Sequence, residues 1–126
     1  MNLYHSFHDF VVFLYVHMAI SDGVIHSSEE QVILKKMGKL FPGEINLKAK
    51  YDRAIAEYSS LNPSLTMDMI QESFAFFNHV TFSQKYKVYS DMYDIVNADG
   101  KVEDSEKSAL EDLKKIIDMN ITSQSL

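Results

Sequence analysis

Apolar residues recur at helical spacing along the chain, beginning with its first segment. Phe7, Val11, Leu14 and Met18 share one helical face, and an apolar run over residues 10–20 is broken only by His17. A helix that spans a bilayer needs about 20 apolar residues. We therefore expect this run to form a core helix, and we expect no transmembrane segment.

The same spacing predicts five more helices, each ended by a turn signal. They are expected to begin after Ser27 or Ser28, after Asn46, near Thr66, at Ser83, and near Asp104 or Ser105. The predicted inward residues are Ile33, Met37, Leu40, Tyr51, Ala54, Ile55, Tyr58, Met67, Ile70, Phe74, Phe77, Tyr86, Tyr89, Tyr93, Val96, Leu110, Leu113 and Ile117. The polar stretch 120–126 is expected to be a disordered tail. We predict one all-α domain over residues 1–126, a bundle of about six or seven helices.

Two segments of the chain match each other at an offset of 77 residues. Asp22-Gly23 in the first corresponds to Asp99-Gly100 in the second, and each pair is followed at the same distance by a glutamate, Glu29 or Glu106. The offset also pairs His17 with Asp94 and His26 with Glu103. The bundle is thus expected to contain two helix–loop–helix repeats, over about 7–41 and 84–118.

The spacing within each repeat suits a metal site. A glycine after the aspartate allows a sharp turn, and a glutamate on the next helix can close a cage of oxygen ligands, as in calcium loops. Each loop lacks the ligand that opens an EF-hand loop, because Met18 and Ile95 stand there. We therefore expect the loops to share one ion. The rival explanation is mechanical: Asp-Gly is a common turn, and a glutamate in a first helical turn stabilises the helix dipole.

The predicted metal ligands are side chains from both repeats. A secondary set of side chains is expected to act as alternative ligands or to contact the ligands. The first set is Asp22, Glu29, Asp99 and Glu106; the secondary set is His17, His26, Asp94 and Glu103; the carbonyls of Val24 and Lys101 complete the shell. Carboxylate ligands favour calcium, magnesium or manganese, whereas entry of a histidine would favour zinc, the less expected ion.

Composition narrows the range of functions. The chain has 12 basic and 18 acidic residues, for a net charge of -6, which argues against nucleic acid as a partner. Most of the excess negative charge falls within the second repeat. Cysteine is absent, which removes disulfides and thiolate chemistry and fits a cytoplasmic location. No catalytic motif emerges, so we expect a non-enzymatic protein.

The two loops resemble those of the tellurite-resistance TerB family, whose repeats read Ala-x-Ala-Asp-Gly-x-Ile-x-x-x-Glu. The first copy here is Ala19-Ile20-Ser21-Asp22-Gly23-Val24-Ile25, closing with Glu29, and the second is Val96-Asn97-Ala98-Asp99-Gly100-Lys101-Val102, closing with Glu106. The departures are Ser21 and Val96, and the acidic residues are intact. The resemblance implies an all-helical fold with an acidic divalent-metal site and a role in metal or stress response. It also implies a protein partner of chaperone or membrane-complex type, with peripheral association with such a complex.

The alternative function is a metal-free interaction module. In that case the loops are only turns, and an acidic or aromatic face of the bundle recruits another protein. The stripe of Tyr86, Tyr89 and Tyr93 is interpreted first as core and only second as such a surface.

Overall fold

The computed structural model describes residues 6–20, 25–77, 81–98 and 104–124. These residues form six α-helices and no strand, which confirms the predicted all-α class. The helices are α1 (Phe7–Ala19), α2 (Ser27–Leu40), α3 (Leu47–Ser60), α4 (Pro63–Phe76), α5 (Phe82–Val96) and α6 (Asp104–Gln124).

Helix α1 is the centre of the bundle. Every residue from Phe10 to Ala19 is buried, so this part of the helix has no face toward solvent. Helices α2, α3, α5 and α6 all pack against it, as expected for a helix that is apolar on every side. Helix α4 packs on α6, and its Phe74 ring meets the Phe10 ring edge-on at 5.2 Å. Among the helices described, none is both long enough and apolar enough to cross a bilayer.

Short polar side chains at the helix starts explain most of the boundaries. Ser6, Asn46, Asn62 and Thr81 each accept a hydrogen bond from a backbone N–H of the first turn that follows. The structure corrects three predicted starts. Helix α2 is preceded by His26 rather than capped by a serine, α4 begins at Pro63, and α5 is capped by Thr81 rather than Ser83.

The last helix takes in residues 120–124, which the sequence analysis placed in a polar tail. Helix α6 continues to Gln124, well beyond the end that its polar sequence suggested. Neither glycine nor proline occurs between Asp104 and Gln124, so nothing in the backbone chemistry stops the helix earlier.

The inward face of α5 also differs from the prediction. Tyr86 and Tyr93 are exposed by 39% and 53%, whereas the buried positions of this helix include Lys85, Val88 and Met92. The buried face is displaced by one residue from the tyrosine stripe, and it includes the charged side chains of Lys85 and Asp91. Tyr86 and Tyr93 therefore form part of the surface, and their interpretation as core is wrong, whereas Tyr89 is half-buried and packs against the core.

The internal repeat is visible in the packing. Residues related by the 77-residue offset are buried together in α1 and α5: Val11 with Val88, Tyr15 with Met92, Met18 with Ile95, and Ala19 with Val96. In α2 and α6 the correspondence weakens, since Met37 is buried and its counterpart Lys114 is exposed.

Lys85 is a buried cation that the sequence pattern did not reveal. Its side chain is 0% exposed, and its Nζ has no hydrogen-bond partner within the described part of the chain. The Nζ atom lies 6.0 Å from the centre of the Phe74 ring, and burial lowers the pKa of the ammonium group. Because no ion pair among the described residues offsets the loss of hydration, we expect this side chain to lower the stability of the fold.

Replacing Lys85 by methionine is therefore expected to stabilise the protein. Met keeps the length of the side chain and removes the charge, so the Lys85→Met protein should gain about 1–3 kcal/mol in urea unfolding. Lys114→Met, at an exposed position of α6, is the control and should change stability by less than about 0.5 kcal/mol. A loss of stability in Lys85→Met would show that the ammonium group is held by a favourable interaction.

Candidate functional site

The structure brings together two of the predicted ligands, Glu29 and Glu106. Each stands in the first turn of its helix, Glu29 in α2 and Glu106 in α6, and their side chains are 1% and 2% exposed. The two carboxyl groups lie close enough for a hydrogen bond and for charge repulsion between them, and both effects raise the pKa of Glu29. Two residues 77 positions apart thus meet where α2 and α6 both begin. Carboxylates at these positions also face the positive ends of two helix dipoles.

Of the two oxygens of the Glu29 carboxyl group, one accepts a backbone hydrogen bond and the other has no hydrogen-bond partner among the described residues. Its Oε1 accepts a hydrogen bond from the backbone N–H of His26 at 3.1 Å. Its Oε2 is buried and has no hydrogen-bond partner among the residues described. The pKa of Glu29 is raised to about 7, chiefly by burial. The backbone hydrogen bond from His26 opposes this rise, and the hydrogen bond and charge of the Glu106 carboxyl group add to it. Near neutral pH the Glu29 carboxyl group is therefore partly protonated.

The remaining loop ligands fall outside the described residues. These are Asp22, Asp99 and Glu103, together with the carbonyls of Val24 and Lys101. Within the described ranges, no group of three or more His, Asp or Glu side chains is placed to hold a metal ion. Within these ranges, the predicted ligands that lie together are the carboxyl groups of Glu29 and Glu106.

His17 is engaged inside the core. Its Nδ1 lies 2.9 Å from the hydroxyl oxygen of Tyr58 on α3. Burial lowers the pKa of His17 to about 4, with a partial opposing effect from the charge of Asp112. The ring is therefore neutral at physiological pH and serves to join α1 to α3. Using Nδ1 as a metal ligand would require breaking the bond to Tyr58.

The other two secondary candidates lie in different places. His26 precedes α2 and lies close enough to Glu29 for its charge to lower the pKa of that residue. Asp94 on α5 is 60% exposed and forms an ion pair with Lys36 at 3.0 Å. The sequence paired His17 with Asp94, but the structure gives these two side chains unrelated partners.

A second polar cluster, centred on Asp91, was missed by the sequence analysis. Asp91 accepts hydrogen bonds from the Tyr15 hydroxyl at 2.9 Å, from Lys36 at 3.0 Å and from Lys87 at 2.7 Å. Burial alone would raise the pKa of Asp91, but these three donors hold it below its ordinary value. The available signal was its register, because Asp91 falls between the inward-facing Val88 and Ile95.

The Glu29 carboxyl group makes stability depend on pH in a defined direction. Its pKa is about 7 in the folded protein against an ordinary value of 4.5, so the folded state binds more protons in that window. Without a cation, this group should therefore make the free energy of unfolding fall as pH rises from about 5 to about 7. His17 acts in the opposite sense over part of this range, so the contribution must be measured as a difference.

The measurement is urea unfolding of wild-type and Glu29→Gln protein in chelator across that pH range. Glu29→Gln should gain stability relative to wild type as pH rises, because the amide never ionises while the effect of His17 cancels in the comparison. Glu111→Gln, at an exposed position of α6, is the control and should follow wild type. Parallel curves for wild type and Glu29→Gln would contradict the raised pKa.

The bond between His17 and Tyr58 has its own test. Tyr58→Phe leaves the buried Nδ1 of His17 without that partner and is expected to cost about 1–3 kcal/mol of unfolding free energy. Tyr93→Phe removes an exposed hydroxyl and should cost little. Equal stability of the two variants would mean that the bond contributes nothing to the core.

Comparison with known families agrees with the resemblance seen in the loops. A family model described as Tellurite resistance protein TerB matches residues 8–124, which is nearly the whole chain. The comparison with curated proteins and the comparison with solved structures give no match. With its six helices in this order and a match that takes in both repeats, the chain belongs to the TerB family.

Proposed function

We propose that this TerB domain binds one divalent cation between its two repeats and acts through that binding rather than through catalysis. The observation that carries the proposal is the buried meeting of Glu29 and Glu106 at the starts of α2 and α6. Each repeat contributes one of the two carboxyl groups. A cation between them would join the two halves of the bundle.

The energetics of the carboxyl pair support a cation. Two buried carboxylates lose hydration and repel each other, and both effects disfavour the doubly charged state. The Oε2 atom of Glu29 has no hydrogen-bond partner among the residues that the structure describes, and a buried acceptor of this kind needs either a proton or a positive charge. A divalent ion satisfies this need and compensates both charges at once.

The donor chemistry favours a hard ion. Carboxylate oxygens suit calcium, magnesium and manganese, whereas zinc prefers sites with histidine or cysteine. The chain has no cysteine, so the thiolate ligands that zinc prefers are absent. Because two carboxyl groups are too few for such ions, we propose that Asp22, Asp99 and the carbonyls of Val24 and Lys101 supply further ligands.

The test is calorimetry on chelator-treated protein with calcium, magnesium, manganese and zinc in turn. One hard ion should bind per chain. Glu29→Gln, Glu106→Gln, Asp22→Asn and Asp99→Asn should each weaken it by at least about tenfold, since a charged ligand contributes roughly 1.5–3 kcal/mol. Glu111→Gln is the control and should bind like wild type.

Stoichiometry and stability complete the test. If a single variant at Glu29 or Glu106 retained wild-type affinity, or if two ions bound per chain, a shared site would be the wrong description. Bound cation should raise the unfolding free energy by about 2.7 kcal/mol at a hundredfold excess over Kd. Zinc binding that is lost on changing His17 or His26, without calcium binding, would overturn the choice of ion.

The second candidate function is a metal-free interaction module, which the exposed tyrosines of α5 favour. Tyr86 and Tyr93 are solvent-accessible, and the Tyr86 ring lies 5.8 Å from that of Tyr89. Aromatic side chains are enriched in the buried centres of protein interfaces. A melting temperature that no ion changes, together with a flat pH response between about 5 and 7, would favour this function over cation binding.

The cellular role we propose follows the family. TerB membership points to a domain related to tellurite resistance. We propose a metal-dependent or stress-response function in the cytoplasm, exerted through a protein partner of chaperone or membrane-complex type and without nucleic acid.

A further inference from the structure

A cleft of about 400 Å³ lies at the end of the bundle where α1 begins and α2 ends. It is bounded by these two helices and by the first half of α5, away from Glu29 and Glu106. Its apolar walls are formed by Phe7, Val11, Leu40 and Val88. Pockets for small organic ligands measure roughly 300–1,000 Å³, so this cleft has room for one small molecule.

The lysines at the cleft outnumber the carboxylates, although the protein as a whole is acidic. Lys36, Lys39 and Lys87 all line it, against Asp91 as the one carboxylate among its lining residues. Lys36 and Lys87 are ion-paired with Asp91, and Lys36 also with Asp94. Lys39 has no ion-pair partner among the described residues, so its charge is left uncompensated at the rim.

Helix geometry adds to this positive field. The first turn of α1, with Phe7 and His8, and the first turn of α5, with Ser83 and Gln84, both border the cleft. The positive ends of two helix dipoles therefore lie beside the cleft. A cationic ligand would be repelled here, and a neutral one would leave Lys39 without a partner.

We propose that the cleft binds a small anionic amphiphile, namely a monocarboxylate on an aliphatic body. The carboxylate pairs with Lys39 at the rim. The aliphatic body is buried against Val11, Leu40 and Val88, which removes its apolar surface from water. This proposal is independent of cation binding, because the two sites share no residue.

The probe is decanoate, titrated by calorimetry and by two-dimensional NMR below its micelle concentration. Decanoate should bind once per chain and should shift the amide signals of Val11, Leu40 and Val88. Decanol, which has no charge, should bind about tenfold more weakly, and decyltrimethylammonium should not bind at all. Equal affinities for decanoate and decanol, or no saturable binding of decanoate at millimolar concentration, would overturn the proposal.

Two variants place the binding in the cleft. Lys39→Gln should weaken decanoate about tenfold and leave decanol unchanged. Ser83→Phe should block both ligands by filling the cleft. Lys39 and Ser83 are exposed, so both variants should fold, which melting curves verify. Lys114→Gln, on the exposed face of α6, is the control. Wild-type affinity for decanoate in either Lys39→Gln or Ser83→Phe would refute this location of the ligand.

Discussion

The burial of α1 from Phe10 to Ala19 is the constraint from which the rest of the structure follows. A helix that is apolar on every side cannot lie on a surface, so α2, α3, α5 and α6 must enclose it. Polar groups on such a helix need partners inside the protein. The Tyr15 hydroxyl finds one in Asp91, and the His17 ring finds one in Tyr58. These two hydrogen bonds tie the central helix to α5 and to α3 and fix its rotation.

The same arrangement determines where the carboxyl pair forms. Phe7 borders the cleft together with Ser83, and Tyr15 bonds to Asp91, so α1 and α5 run side by side in the same direction. The helices that follow them therefore start at one end of the bundle, and Glu29 and Glu106 meet there. At this point the bundle carries buried charge instead of apolar contact. Two buried carboxyl groups side by side lower the stability of the fold whenever both are charged.

Hydrophobic spacing was enough to predict the six helices, and the internal repeat was enough to predict that Glu29 and Glu106 belong together. Both predictions depend on local patterns that packing reinforces. The inward face of α5 was not predictable in this way, because Lys85 and Asp91 occupy buried positions and the tyrosines offer a rival stripe one residue away. Nor does the repeat determine the partners of His17 and Asp94. The partner of His17 is Tyr58 and that of Asp94 is Lys36. Both partners lie on other helices and have no counterpart in the loop motif.

The separation of Glu29 and Glu106 along the chain has a consequence for folding. A contact between residues so far apart in sequence forms only after a long loop has closed, and such contacts appear late in folding. During synthesis the α1–α2 pair leaves the ribosome long before α6 does, so Glu29 has no Glu106 beside it at that stage. The carboxyl pair therefore comes into existence only in a chain whose last helix has docked. An ion that needs both carboxyl groups could therefore bind only to the fully folded bundle and not to a nascent chain.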